Sequence, residues 1–192
     1  MTQEQLYKEL DYVDHSRKKR YYYAALLKEQ PKLLQPLLEI LFLVDDKRSP
    51  KAGWLIDFVS KNNLPLLFPY LDYFTSNMHT VYQDSALRPV AKVCERLALS
   101  YYKEQHPLSR KALQLKHKEQ ITNAGFDWLI TDQKVAVKAY TLTTLYHIGT
   151  EIDWIHPELL IIMENQYNAS SAAFQARTRH VTEWIKRYRT HS

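Results

Sequence analysis

Apolar side chains recur along most of this chain at steps of three and four residues, the spacing of one face of a helix. The stretch TDQKVAVKAYTLTTLYHIG, residues 131–149, tests that reading, because valine, threonine and tyrosine are residues that strands favour. As a half-buried strand, residues 135–142 would place Ala136, Lys138, Tyr140 and Leu142 on one face, which is poor alternation. On a helix, Val135, Ala139, Leu142, Tyr146 and Gly149 fall on one stripe, which Leu145 widens. Asp132 stands where an N-cap belongs, and Gly149 where a helix ends. Burial of the stripe outweighs the few tenths of a kcal/mol that each β-branched residue costs, so the pattern predicts a helix. Residues 116–130 carry a second stripe in Ile121, Ala124, Trp128 and Leu129. The short link around Thr131 and Asp132 folds the two helices back as an antiparallel hairpin.

The hairpin repeats. LLQPLLEIL (33–41), LLFPYLDYF (66–74), ITNAGFDWL (121–129) and WIHPELLII (154–162) resemble one another, with Pro36, Pro69 and Pro157 in the fourth place and Ala124 in the remaining one. Each is followed by a polar loop and a second helical segment, at 49–62, 85–102, 133–149 and 170–188. The pair Ser85-Ala86 returns as Ser171-Ala172, close to the spacing that separates Pro69 from Pro157. Two markers thus agree on two copies of a unit of roughly 87 residues, each holding two hairpins.

This arrangement resembles HEAT and armadillo-type repeats, which often carry proline in the first helix, then a loop aspartate followed by apolar, arginine and alanine positions. Asp84, Leu87, Arg88 and Ala91 fit all four places. Asp132, Val135 and Ala139 fit three, with Ala136 where arginine is expected. The first hairpin offers Asp45 and Ala52, and the last Ala176, so most of the family's Asp-Arg ladder is missing. The resemblance implies an all-α fold, an α-α superhelix: a short right-handed solenoid of four hairpins with second helices lining its concave face. Residues 1–192 then form a single repeat domain, with an N-terminal capping helix in 1–30, one pair of hairpins in 31–104 and another in 114–190. Residues 102–113, with Pro107, read as an irregular connection between the two copies.

Composition agrees with a helical chain: 192 residues are 45% hydrophobic and include three glycines. No apolar run is long enough to span a membrane, and the single Cys94 has no partner for a disulfide or thiolate site. A soluble, cytoplasmic, monomeric protein is expected. Cys94 shares a stripe with Val90, Val93, Leu97 and Tyr101 and reads as packing. Trp128, Trp154 and Trp184 read as core or inter-repeat contacts, with Trp54 as the exposed exception.

Catalytic signatures are missing: no nucleophile elbow, no phosphate-cradling glycine loop and no HExxH pair. The pattern therefore predicts neither enzymatic activity nor a cofactor nor a metal. His147, Glu151 and Asp153 are the nearest approach to a divalent site, while Asp45 and Asp46 read as a solvated loop with a helix cap.

The chain has 26 basic and 21 acidic residues, a formal charge of +5, which hints mildly at an anionic partner. Lys51, Lys92, Lys138 and Arg177 flank the small alanine positions of successive second helices. With Trp54, Arg88, Tyr140 and Arg179 they predict a basic stripe on the concave face that the resemblance implies. A second patch is RKKRYYY, with Arg17, Lys18, Lys19 and Arg20 ahead of three tyrosines. The expected role is a non-enzymatic scaffold that binds a protein partner, an acidic one by charge. The alternative is nucleic-acid binding related to DNA repair, since some HEAT-like proteins embrace duplex DNA. Acids such as Asp57 and Glu95 among the cations would weaken that alternative.

Overall fold

The computed structural model describes residues 1–14, 16–168 and 170–191, leaving aside the side chains of Arg17 and His191, and every regular element in it is helical. In chain order these are α1 (Gln3–Glu9), α2 (Arg17–Glu29), α3 (Leu34–Leu41), α4 (Ser49–Asn63), α5 (Leu71–Asn77) and α6 (Asp84–Ala98). After the short α7 (Pro107–Ala112) come α8 (Leu115–Ile130), α9 (Val135–Ile148), α10 (Ile155–Tyr167) and α11 (Ala172–His191).

The repeated prolines sit at helix starts. Pro36 and Pro157 lie in the first turns of α3 and α10, where an amide hydrogen has no acceptor within the helix, so its loss costs nothing. Pro69 lies in a 3-10 run, Leu64–Tyr70, that leads directly into α5.

The second helices form one continuous layer: α2 packs on α4, α4 on α6, α6 on α9 and α9 on α11. Cross-contacts fix their direction. Trp54 reaches Ser85, Asp57 reaches Lys92 and Ser60 reaches Arg96, so residue numbers rise together and α4 runs parallel to α6. The pairs Asp84 with Lys134 and Glu95 with Thr143 make α6 parallel to α9. Thr143 with Arg177 and Thr150 with Tyr188 do the same for α9 and α11. Parallel neighbours require each intervening segment to return the chain; α3 packs on α4, α8 on α9 and α10 on α11 as it does so. Among those first helices α1 packs on α3 and α5 on α8. The buried apolar side chains make one contiguous cluster that extends from Leu6 to Ile185.

Helix α9 confirms the helical reading of 131–149 and changes its detail. It packs against α6, α8, α10 and α11, so buried positions include Val137, Thr141, Thr143 and Thr144 as well as Leu142, Leu145 and Ile148, and no single stripe describes it. The N-cap is Lys134, without a side-chain bond; exposed Asp132 lies two residues earlier, where the Gln133 amide bonds back to the Thr131 carbonyl. Gly149 does follow the last helical residue, but with a negative φ that any residue adopts. Its need for glycine is contact: a Cβ there would collide with the His156 ring.

The N-terminal region differs from a single capping helix. It holds two, since Thr2 and Gln5 form a capping box that starts α1, and buried Tyr23 of α2 donates a 2.7 Å bond to Glu9. The 102–113 insertion is a π turn at Leu99–Lys103, Gln105 at φ 51° and α7. Trp154, not Trp54, is the exposed tryptophan, stacked on Phe126 with ring centroids 5.4 Å apart. Cys94 packs against the Met78 sulfur, and burial pushes its thiol up to about 12.

Leu142 is fully buried at the centre of the layer. Leu142→Ala should destabilise the fold by roughly 2–5 kcal/mol through the cavity it opens. Urea unfolding measures this, and a loss under about 1 kcal/mol would contradict the central placement of α9.

Candidate functional site

The parallel layer carries the residues singled out in sequence, yet most are engaged within the fold. Lys51 donates to the Asp11 carbonyl at 2.8 Å and anchors the N-terminal segment. Lys92 pairs with Asp57 at 2.6 Å, and Arg96 reaches the other oxygen of the same carboxylate at 2.5 Å. Lys138 donates to Gln166, and burial pushes its ammonium below the ordinary lysine range. Arg177 donates to Thr143 at 2.9 Å and adds its charge to the surroundings of Glu95. Burial of Glu95 pushes its carboxyl up, against the opposing pull of Thr143, Arg177, Arg96 and Lys92. Tyr140 packs against the core, half-buried.

One cleft draws on both sets of predicted residues. A cleft of about 590 Å³ opens between α2, α4, α6 and the start of α9. Trp54 forms part of its wall, held by an indole N–H bond of 3.2 Å to the Ser85 carbonyl. Four cations line it: Arg20, Arg88, Lys92 and Lys134. Two carboxylates, Asp57 and Asp84, share the lining. Asp84 and Lys134 are 3.7 Å apart and largely exposed, a weak pair. Arg88 is exposed and makes no hydrogen bond or ion pair among the described residues.

The cleft therefore unites Trp54, Arg88 and Lys92 from the expected stripe with Arg20 from the second patch. It does not gather the rest. Arg179 belongs to a different groove, between α10 and α11, where it donates to the Tyr167 hydroxyl at 2.8 Å beside Met163 and Lys186. Within RKKRYYY, Arg17 lies outside the described side chains, Lys18 is exposed, and Lys19 turns back to the Tyr12 carbonyl and Asp14. Of the tyrosines, Tyr23 is buried, while exposed Tyr21 sets its edge on Phe58 at 4.8 Å. Lys134 was not among the expected residues. It sits in a loop, and only the parallel register of α6 and α9 places it opposite Asp84.

The suggested divalent set does not assemble, and among the described residues no group of three potential ligands is placed to hold a metal. Glu151 turns instead to Lys118, whose ammonium lies 2.7 Å and 2.9 Å from its oxygens and 3.8 Å from the Tyr101 ring centre. Burial pushes the Glu151 carboxyl up, but bonds from Lys118 and Tyr102 outweigh it and hold the group below its usual range. His147 stacks on Tyr102 and meets the edge of Tyr146. Asp45 accepts from Tyr82, and Asp46 accepts the Arg48 amide ahead of α4 at 2.7 Å.

Compared with protein-family models, with curated proteins and with solved structures, the chain matches none. Among the described residues, no helix is long and apolar enough to cross a membrane.

Two groups at the opposite, C-terminal end of α9 give direct tests of the packing there. Glu151→Ala should cost roughly 2–3 kcal/mol, because it leaves the Lys118 ammonium buried and unpaired; partial exposure of Glu151 keeps the loss at the low end. Lys118→Met combined with Glu151→Gln should recover most of it, and urea unfolding of the three variants shows whether it does. Burial, aided by the Lys103 charge, pushes His147 from 6.5 down to about 4. A neutral His147 thus contributes stability that is full above pH 6.5 and declines as pH falls through about 4. His147→Gln should flatten the Tm profile across that window, and superimposable profiles would refute the half-buried placement.

Proposed function

We propose that this chain is a non-enzymatic binding module, a HEAT-like α-α superhelix whose second-helix layer receives an acidic segment of a partner protein. The parallel layer of α2, α4, α6, α9 and α11, with first helices returning the chain, supports the repeat architecture. The observation that carries the binding role is the cleft beside Trp54, where Arg20 of α2, Arg88 and Lys92 of α6 and Lys134 before α9 come together. Lys51, Lys138 and Arg177 serve internal contacts, whereas exposed Arg88 makes none among the described residues, so binding energy is concentrated beside Arg88 rather than spread along a stripe.

The same observation favours a protein partner over nucleic acid. A nucleic-acid backbone is best met by a continuous run of cations. Asp57, Asp84 and Glu95 interrupt this layer with negative charge at intervals along α4 and α6. A short acidic peptide can meet one basic cleft without crossing them.

Arg88 and Lys134 are exposed, so Arg88→Glu with Lys134→Glu should leave Tm within a few degrees. Fluorescence anisotropy with a labelled glutamate-rich peptide should show binding by the natural sequence and at least tenfold weakening in the double variant. Equal binding by both proteins would remove the cleft from the reading. Tighter binding to a duplex of equal charge would replace the protein partner with nucleic acid.

A further inference from the structure

Resting on that reading and narrowing it, we propose that the cleft beside Trp54 is a subsite for a phosphorylated side chain within the acidic partner segment. The first argument is charge. Four cations and two carboxylates line the cleft, an excess of two positive charges. A phosphorylated side chain carries about −1.5 to −2 at neutral pH, whereas one glutamate brings a single charge. Asp57 is already shared by Lys92 and Arg96, so its charge is spread over two partners. Arg88 has no such partner among the described residues and offers a planar fork suited to two phosphate oxygens.

The second argument is the backbone. The cleft is lined by Asp84 and Ser85 at the start of α6 and by Lys134 and Ala136 at the start of α9. These helices have 15 and 14 residues, and neither receives a side-chain N-cap. Two parallel helices therefore direct their positive ends toward the same space, with first-turn amides lacking a side-chain acceptor. Asp84 partly offsets the end of α6, but α9 has no acid in its first turn. An anion with several acceptor oxygens satisfies both the cations and the helix ends.

The third argument is shape. The volume of about 590 Å³ accommodates a phosphorylated side chain, and the Trp54 wall gives its carbon atoms an apolar surface. A local cleft also fits one isolated phosphate better than an extended nucleic-acid backbone, which would have to run on past Glu95 of α6.

The test uses three labelled acidic peptides of one sequence, with phosphoserine, glutamate or serine at the centre. Fluorescence anisotropy is read for the full chain, Arg88→Gln, and an Arg179→Gln control outside the cleft. The phosphoserine peptide should bind at least tenfold more tightly than the glutamate peptide. Arg88→Gln should erase that preference, Arg179→Gln should keep it, and inorganic phosphate should compete. Equal affinity for phosphoserine and glutamate peptides would overturn the subsite while leaving the acidic-partner reading intact. Binding of none of the peptides would overturn both. An Arg88-dependent preference for single-stranded or duplex DNA over the phosphopeptide would assign the phosphate chemistry to nucleic acid and also overturn the proposal.

Discussion

The fold depends on burying α9 from almost every direction. A helix packed against α6, α8, α10 and α11 has little room for a polar face, yet it carries three buried threonines. Thr141, Thr143 and Thr144 donate their hydroxyls to the carbonyls of Val137, Ala139 and Tyr140, one turn back, so their polar atoms are satisfied within the helix. The methyl groups remain for packing. Gly125 of α8 completes the arrangement, since a Cβ there would lie 3.2 Å from both Thr141 and Leu145. The strand-like composition of 135–148 is thus what a short helix needs to be buried without orphan polar groups.

Much of this architecture was legible because proline acts locally. Pro36 and Pro157 mark first turns for a covalent reason, and the hairpin periods follow from them. One element that the apolar pattern missed was α1. Its signal, Thr2 followed by Gln5, lies in an exposed polar run with Leu6 as its one buried residue, so apolar periodicity could not reveal it. Asp132 failed as a cap because composition identifies a capping residue more readily than the turn in which the helix begins.

The candidate site was legible in part. Register along one helix was the weak step: Arg177 and Arg179 are two residues apart, hence about 200° apart around the axis, and cannot share a face. The structure sends Arg177 to Thr143 and Arg179 to Tyr167. Lys51, Lys92 and Lys138 do recur on the layer, but equivalence of position did not make them available, because each answers an internal acceptor. Sequence spacing identifies which residues share an environment. It does not say whether a partner within the fold has already met their charge.

That distinction explains why one end of the layer stands apart. Parallel helices align their dipoles, so their positive ends accumulate on one edge, and acids in the first turns would be the ordinary compensation. Here α2, α4, α9 and α11 have none; of the layer helices, α6 alone begins with an acid. At α4 the nearby Arg48 is held by Asp11 and Asp46, so the charge is balanced by the N-terminal segment. At α9 the preceding residue is Lys134, which adds positive charge to an already positive helix end and, among the described residues, pairs with an exposed aspartate 3.7 Å away. A local choice that opposes the helix dipole, set beside an Arg88 with no partner among the described residues, is a conflict that the proposed anion would resolve.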